Sequence, residues 1–326
     1  MGWFTAQVPF PDLVPELRDD LVRLRAHNTA DLARMVEEAG DAQTLAQMTV
    51  GQSTLADVAK YLEAVREGWE SQPPHPRWAI CTRDDDTYLG TIVLRPHAWV
   101  GARLPAATVS YSLHPDARGR GLMTRALRLA SAHFFGDYSG ERLHWAAFRG
   151  NEASWRVARA CGFTMHATIP QTTLQGEGLR DDWVASLGRD DLTTPKTPWL
   201  AFPEISVDTA HGPVLLRDWR PSDVEALEPA NHPEHYLPMT AIPPVDSFET
   251  WRMTRLEHRI LGTGLSWCIA NAEDRAMGYV TVFSRGGPIG DYAELGYYVF
   301  PSARARGVVT AAAQAAVAHA FQAIEA

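Results

Sequence analysis

The chain has 326 residues, 45% of them hydrophobic, and its 30 Lys and Arg residues against 39 Asp and Glu residues give a formal net charge of −9. This length suits two packed domains rather than one. An acidic chain lacks the broad positive field that nucleic-acid binding requires, so a nucleic-acid partner is not expected.

Signals for export, membrane insertion or cross-linking are not found in the sequence. No apolar run reaches the roughly 18 residues of a membrane span, and the N-terminal MGWFTAQVPF lacks the basic and apolar regions of a signal peptide. Cys81, Cys161 and Cys268 are scattered without C-x-x-C spacing, which predicts neither a disulfide framework nor a zinc site. We therefore expect a cytoplasmic protein without a bound metal or a membrane partner.

The predicted elements alternate between strands and helices. In chain order they are a strand from Leu21, a helix with Leu32, Val36 and Ala39 on one face, a helix at Thr54–Gly68, strands at Trp78–Thr82, Tyr88–Leu94 and Ala107–Leu113, a helix starting near Arg118–Gly121, a strand at Arg142–Phe148, a helix at Ser154–Cys161 and a strand at Asp182–Leu187. This order predicts the α/β class, with a mixed central sheet flanked by helices.

A stretch with three prolines and no apolar periodicity predicts a linker at residues 189–203. It would separate a first domain, residues 1–188, from a second, residues 204–326. The second resembles the first in sequence, because Val22–Arg25 recurs as Val214–Arg217 and a later turn recurs in the same order.

The predicted second copy is shorter than the first. It has no equivalent of Glu141–Leu187, so we expect it to be incomplete at its C-terminus and the chain to be a fragment. A sheet that stopped there would expose a long edge strand.

The turn between the strand ending at Leu113 and the next helix has the features of a phosphate site. Pro115 ends the strand, glycines stand at positions 119 and 121, and a helical stripe begins at Met123. The first N–H groups of a helix are unpaired and carry partial positive charge, and glycine lets a ligand approach them closely. The pattern predicts a site for a phosphate or pyrophosphate.

Two common phosphate-binding loops do not fit this turn. The P-loop sequence G-x-x-x-x-G-K-S/T is absent from the chain. The dinucleotide fingerprint requires a third glycine where Thr124 stands.

Arg118–Gly121 resembles the Q/R-x-x-G-x-G/A loop of the GCN5-related N-acetyltransferase (GNAT) family, although Met123 stands where the family prefers Gly or Ala. Asn151–Ser154 and the following Gly162–Phe163 resemble the family's next motif, N-x-x-S on a helix and then G-F. The resemblance covers most of Leu21–Leu187. Within the family, the sequence most resembles the branch that includes the ribosomal-protein alanine acetyltransferases.

The resemblance implies that acetyl-CoA is a cosubstrate and that its acetyl group moves to a primary amine. It places the donors for the thioester oxygen on main-chain N–H groups at a bulge of the strand that ends at Leu113. The residues implied to bind acetyl-CoA are Leu113, His114, Arg118, Gly119, Arg120, Gly121, Leu122, Met123, Thr124 and Asn151.

The resemblance also assigns the proton for the departing thiolate to Ser154. The alternative is structural, with Asn151 as a helix cap and Ser154 in the first turn. For the base, many relatives carry a strand Glu, which the second copy has as Glu294 and the first replaces with Thr108. In the first copy, His144 and His114 are the candidates for the base, because an unperturbed histidine titrates near pH 6.5. The alternatives are that a water molecule accepts the proton or that the amine is already neutral.

The leading hypothesis is an acetyl-CoA-dependent N-acetyltransferase whose first copy holds the cosubstrate. The alternative is a non-catalytic acyl-CoA-binding or assembly module, favoured by the missing Glu and by Met123. The sequence leaves open the oligomeric state and the acceptor amine, which could be a protein N-terminus or a small molecule. The acidic charge favours cationic acceptors.

Overall fold

A computed structural model describes residues 10–47, 54–194, 202–228, 245–284 and 292–324. Two predictions concern residues outside these ranges. One is the absence of a signal peptide at the N-terminus, where residues 1–9 are not described, and the other is the part of the linker at residues 195–201. The chain divides into two compact units, Met1–Lys196 and Thr197–Ala326.

The first unit contains eight strands and five α-helices among its described residues. The strands are β1 (Leu17–Arg18), β2 (Val22–Arg25), β3 (Arg77–Thr82), β4 (Tyr88–Val100), β5 (Arg103–Leu113), β6 (Arg142–Phe148), β7 (Thr164–Gln175) and β8 (Gly178–Gly188). The helices are α1 (Leu32–Gly40), α2 (Ala42–Ala46), α3 (Leu55–Glu70), α4 (Leu122–Gly136) and α5 (Glu152–Ala160).

These strands form one sheet in the order β1-β2-β3-β4-β5-β6-β8-β7. The β5 and β6 pair is parallel and the other neighbours are antiparallel. The predicted class, a mixed sheet flanked by helices, is therefore confirmed.

The sheet opens between its two parallel strands. The pairing of β5 with β6 ends at Val109 and Trp145, whereas the strands run on to Leu113 and Phe148. The ends of these two strands, residues 110–113 and 146–148, are not paired with each other, and we call the gap between them the strand opening. Strand β5 stays paired with β4 as far as Leu113, so the opening exposes only its β6 side.

The helices cover the two faces of the sheet around this opening. On the face that we call the α5 face, Tyr111 of β5 contacts Ser154 of α5. On the opposite face, which we call the α1 face, Glu38 of α1 accepts a hydrogen bond from the hydroxyl of Tyr88. Because side chains alternate along a strand, Thr108 and Ser112 point to the α1 face.

Helix α4 follows the sequence prediction closely. Gly121 is its N-cap and Gly136 its last residue. The predicted stripe is buried, and its members, each at most 4% exposed, are Met123, Leu127, Ala130 and Phe134. Burial of this stripe attaches the helix to the sheet and so fixes the position of its N-terminus.

Tryptophans form a large part of the first unit's core. Four of them are at most 2% exposed: Trp69, Trp78, Trp145 and Trp155. Truncating a buried tryptophan to alanine typically costs about 3–5 kcal/mol of stability. Trp145 of β6 and Trp155 of α5 contact each other, with ring centroids 5.7 Å apart, so this pair holds α5 against a strand that borders the opening.

The second unit has a five-stranded antiparallel sheet in the order β13-β12-β11-β10-β9. Its elements are β9 (Ile205–Thr209), β10 (Gly212–Arg217), α6 (Phe248–Ile260), β11 (Gly264–Ala270), β12 (Ala276–Phe283), β13 (Glu294–Val299) and α7 (Val308–Ile324). Among its described residues, β13 is an edge strand and α7 is the last element.

A buried ion-pair cluster recurs in both units. Arg25 contacts Asp31 and Asp86 in the first unit, and Arg217 makes the same contacts with Asp223 and Asp274 in the second. The repeated clusters agree with the sequence repeat and join the second strand of each unit to the turn before the fourth.

The structure adds elements that the periodicity did not predict. Helix α2, strand β7 and the first four residues of β8 had no predicted counterpart. Residues 189–194, assigned to the linker, contact the first unit: Arg189 donates to the carbonyls of Phe135 and Gly140, and the Thr193 N–H donates to Cys161.

Candidate active site

The turn before α4 has unpaired backbone donors. Gly119 and Gly121 are left-handed, with φ of 70° and 73°, and a Cβ at either position would meet nothing within 4 Å. Within the described ranges, the N–H groups of residues 119–124 make no hydrogen bond. Six free donors at the positive end of a helix are suited to a phosphate or pyrophosphate.

The side chain of Arg118 points back into the protein. It donates to the Leu113 carbonyl at 3.2 Å and to Gln43 and Thr44 of α2 at 2.9 and 2.7 Å, and it pairs with Asp41 at 2.8 Å. Arg118 therefore fixes the turn against α2, and its backbone N–H is also engaged, since it donates to the Pro115 carbonyl at 3.3 Å.

His114 also anchors the turn. Its ring lies 3.1 Å from Glu37 of α1 and 2.8 Å from Asp116, and it is 6% exposed. Arg34 contacts both His114 and Asp116, which together with burial explains why His114 is poorly placed to reach an acceptor amine. Arg120, in contrast, is exposed and has no partner in the described part of the chain.

The other residues implied to bind acetyl-CoA differ in what they present. Leu122 and Met123 are at most 5% exposed, so they offer only backbone N–H groups. Met123 points into the core, and its size therefore does not block the turn. Thr124 is half-buried.

Three polar side chains meet on the α5 face beside the strand opening. The indole N–H of Trp145 lies 3.0 Å from the Tyr111 hydroxyl and 3.2 Å from the Ser154 hydroxyl. Ser154 donates to Tyr111 at 3.2 Å, and Tyr111 donates to the Ser154 carbonyl at 3.0 Å. We call these residues the hydroxyl cluster.

The hydroxyl groups of this cluster are held in their protonated form. Burial raises the pKa of Tyr111, although hydrogen bonds to Ser154 and Trp145 oppose the shift, so both hydroxyls stay protonated at neutral pH. Asn151 accepts from the Ser154 N–H at 3.1 Å, which makes it the predicted cap and orients the first turn of α5. Sequence reasoning identified Ser154 and missed Tyr111 and Trp145.

A histidine pair lies on the α1 face at the closed end of the opening. His144 of β6 stands opposite Thr108 of β5 in the parallel register. The ring of His97 stacks on that of His144, with centroids 5.0 Å apart, and its Nε2 lies 2.8 Å from the Thr108 hydroxyl. A histidine therefore adjoins the position where relatives carry a strand Glu.

The environment of His144 favours its neutral form. Burial lowers its pKa, and the nearby His97, Arg142 and His166 lower it further. A neutral imidazole at pH 7 can accept a proton from an amine. The sequence indicated His144 but gave no sign of His97, which sits in a bulge of β4.

The expected bulge in β5 is not present. Its residues pair with β4 without a register shift from Ala107 to Leu113. The irregularities of this pair lie between Pro96 and Val100 of β4 instead. The strand opening therefore comes from the separation of β5 and β6, which leaves the β6 side of a regular strand without a partner.

Glu294 belongs to the second unit, where it opens β13 opposite Phe283. It is half-buried and occupies the position that Thr108 has in the first copy. Near it on the same strand, Tyr297 is 57% exposed, whereas Tyr111 is enclosed by the hydroxyl cluster. The structure brings His144, Thr108 and the strand opening together in the first unit, and Glu294 is not among them.

Neither a metal-binding cluster nor a membrane-spanning helix is found among the described residues. No group of three or more His, Cys, Asp or Glu side chains is placed to hold a metal ion there. No helix that the structure describes has both the length and the apolar character needed to cross a bilayer.

A profile of the acetyltransferase (GNAT) domain matches residues 22–164 and 214–326, more than half of the chain. No curated protein matches significantly.

Similar folds occur among solved structures. A GNAT-family acetyltransferase from Bacillus anthracis has 14% identity over 54% of this chain and 99% of that chain, with a TM-score of 0.47. Mycobacterium smegmatis RimJ in complex with CoA-disulfide has 17% identity over 56% and 90%, with a TM-score of 0.48. Ribosomal-protein-S5-alanine acetyltransferase from Vibrio fischeri has 17% identity over 55% and 98%, with a TM-score of 0.47.

Proposed function

The chain belongs to the acetyltransferase (GNAT) family, and we propose that it transfers the acetyl group of acetyl-CoA to a primary amine in its first unit. The observation that carries this proposal is the alignment of two features on one strand. Strand β5 borders the strand opening and then leads directly into the turn whose N–H groups are free.

The residues present fit acetyl-CoA in its chemistry. The free donors of residues 119–124 match the charge of a pyrophosphate. The unpaired backbone of β5, residues 110–113, can pair with the amide groups of the pantetheine arm as a neighbouring strand would. The exposed Arg120 can add a charge-assisted contact to a phosphate.

The two faces of the sheet separate the two proton transfers. The amine nitrogen attacks the thioester carbonyl carbon, its proton passes to neutral His144 on the α1 face, and the C–S bond breaks. The departing thiolate takes the hydroxyl proton of Ser154 on the α5 face, and the indole N–H of Trp145 stabilises the serine oxygen by donating to it. The products are an amide and free CoA. The protonated imidazole of His144 gives its proton to water, and the Ser154 alkoxide regains one from water, which restores both groups.

This proposal uses His144 for the proton transfer from the amine and Ser154 for the proton transfer to the thiolate. The amine nitrogen and the thioester sulfur are separate substituents of the tetrahedral carbon, so a base on one face of the opening and an acid on the other can each contact its own atom. The three buried, unpaired cysteines of the chain are consistent with a reducing cytoplasm as its location.

Thiol release from acetyl-CoA, measured with a panel of primary amines, tests the proposal. The wild type should release CoA with at least one amine, and Ser154→Ala should lower kcat by about 10²-fold to 10⁴-fold. Calorimetric affinity for acetyl-CoA should stay within about twofold in the variant, because the hydroxyl acts on the leaving thiolate.

Two results would oppose this function. Tight acetyl-CoA binding without thiol release from any amine would favour the non-catalytic acyl-CoA-binding module. A kcat within about threefold of the wild type in Ser154→Ala, far below the usual contribution of a positioned acid, would leave Ser154 with a structural role only.

A further inference from the structure

Asp182 is a buried carboxylate on the α1 face of the sheet, the face on which we propose that the amine reacts. It lies on β8 opposite Phe148, the last residue of β6. Phe148 and His144 point to the same face of β6, since they are four residues apart. Asp182 therefore lies on the α1 face, and it is 6% exposed.

Only one oxygen of this carboxylate has a partner. Oδ2 accepts a hydrogen bond from the hydroxyl of Thr173 on β7. Oδ1 is buried and has no hydrogen-bond partner among the described residues. A buried carboxylate oxygen without a donor costs free energy, which a cation placed against it would recover.

Arg180, a cation two residues away on the same face of β8, is already engaged. Arg180 donates to Gln175 at 2.6 Å, and its guanidinium lies 5.3 Å from the centre of the Phe148 ring. Neither contact involves Asp182. In the part of the chain that the structure describes, the carboxylate therefore lacks the basic partner that buried acidic groups usually have.

The separation of Asp182 from His144 determines how long an acceptor must be to reach both residues. Four residues of β6 separate His144 from Phe148, which corresponds to about 13 Å along the strand. Asp182 lies one strand further, and its hairpin contacts α2 because Gln175 donates to the Ala46 carbonyl at 2.8 Å. A molecule reacting at His144 and extending along the α1 face would reach Asp182 with a group some distance from its reacting amine.

We propose that Asp182 Oδ1 binds a second cationic group of the acceptor, so that the preferred acceptor carries a positive charge remote from the amine that is acetylated. This inference rests on the proposed function, because it takes the reacting amine to lie at His144. The required chemistry, a remote ammonium or guanidinium, is found in basic peptides and in polyamines.

Binding of matched probes, measured without acetyl-CoA, tests the proposal. In the first arm, each of five hexapeptides begins with Ala and carries one Arg, at position 2, 3, 4, 5 or 6. Its matched partner carries Gln at that position. Spermidine and butylamine form the second arm. Wild-type protein should bind the charged member of at least one arm about tenfold or more tighter, as expected for a hydrogen bond to a charged group.

Among the peptides, the preference should be largest with Arg three to five residues from the N-terminus, because an extended chain advances about 3.3 Å per residue. Asp182→Asn should reduce the preference to less than about twofold while keeping the Thr173 hydrogen bond. Asp181→Asn is the matched control, because that carboxylate pairs with Arg149 and has the same charge. It should keep the full preference.

The outcomes separate this inference from the proposed function. Equal wild-type affinity for charged and neutral probes in both arms would overturn it, whatever the variant does. So would an unchanged preference in Asp182→Asn. A cation preference that depends on Asp182, together with no thiol release from any amine, would support the Asp182 site and overturn only the proposed reaction.

Discussion

At the scale of single residues, His144 has the feature that a base needs, a neutral ring at neutral pH. Its position opposite Thr108 places it beside the strand position where relatives carry Glu. Burial and three basic neighbours lower its pKa below 6.5. The imidazole should therefore gain its proton only in more acidic solution than an ordinary histidine does.

We predict that the pH dependence of kcat/KM identifies this group. The ratio of wild type to His144→Gln should rise with pH, with a midpoint below 6.5, and then level off, because only the neutral ring accepts the proton. Taking the ratio removes the ionisation of the acceptor itself. His166→Gln is the control, since His166 is exposed on the same sheet and contacts Ser186.

The control should follow the wild-type profile with at most a small displacement. A ratio for His144→Gln that stays flat between pH 5 and 8 would mean that His144 takes no proton in the reaction. The amine would then lose its proton to water or to a different residue.

At the scale of secondary-structure elements, α1 is joined to the sheet through a chain of buried polar groups. Glu38 accepts from Tyr88 at 2.8 Å, the Tyr88 hydroxyl lies 3.0 Å from that of Thr91, and Thr91 lies 3.1 Å from Nε2 of His27. Burial lowers the pKa of His27 to about 4 and raises that of Glu38. This network holds α1 in place over the α1 face.

The first unit should therefore lose stability as the pH falls through the range of His27. Its unfolded pKa is near 6.5 and its folded pKa about 4, so between these values the unfolded chain binds the proton. The free energy of unfolding should decrease by up to about 3 kcal/mol across this window. Hydrogen exchange of β3 and β4 reports on this unit.

His27→Gln should remove this part of the slope, and His166→Gln should retain it. An identical pH dependence in wild type and His27→Gln would show that His27 is not buried in its neutral form. The α1 network would then have to be charged or open to water in solution.

The elements also show what the sequence could predict. The β5, turn and α4 segment was predictable because its signals are local: a β-branched strand, Pro115, two glycines and a helical stripe. Strand β7 was not, since most of its side chains are exposed and it therefore lacks the apolar alternation that marks a half-buried strand. Helix α2 is only five residues long, too short for a periodic signal.

The site was predictable only where a motif carried it. Asn151 and Ser154 followed from a motif within one helix turn. Tyr111, Trp145 and His97 depend on which strands are neighbours and in what register, and contacts between residues so far apart in sequence leave no local pattern. Asp182 is a further case, because the sequence gives no sign that one of its oxygens is buried without a partner.

At the scale of the whole molecule, the two units share a turn but differ in what stands beside it. Ala305 and Gly307 repeat the left-handed backbone of Gly119 and Gly121, with φ of 59° and 68°. In the second unit, however, β13 is an edge strand among the described residues, so the described residues form no strand opening. Ala305 also adds a Cβ where a phosphate would approach the backbone.

This difference is the reason that we propose acetyl-CoA binding in the first unit. A turn alone offers donors for a pyrophosphate, whereas the strand opening adds the unpaired backbone of β5 and the hydroxyl cluster. The two glycines nearest each helix, Gly121 and Gly307, form a matched pair for a test. Both are left-handed, and at neither would an added Cβ meet an atom within 4 Å.

The most direct measurement is a calorimetric titration of acetyl-CoA into the wild type, Gly121→Glu and Gly307→Glu, with melting temperatures to confirm that each is folded. We predict one equivalent per chain in the wild type, no measurable binding in Gly121→Glu, where a carboxylate meets the pyrophosphate, and one equivalent in Gly307→Glu. Two equivalents in the wild type, or loss of binding only in Gly307→Glu, would contradict the assignment of the site to the first unit.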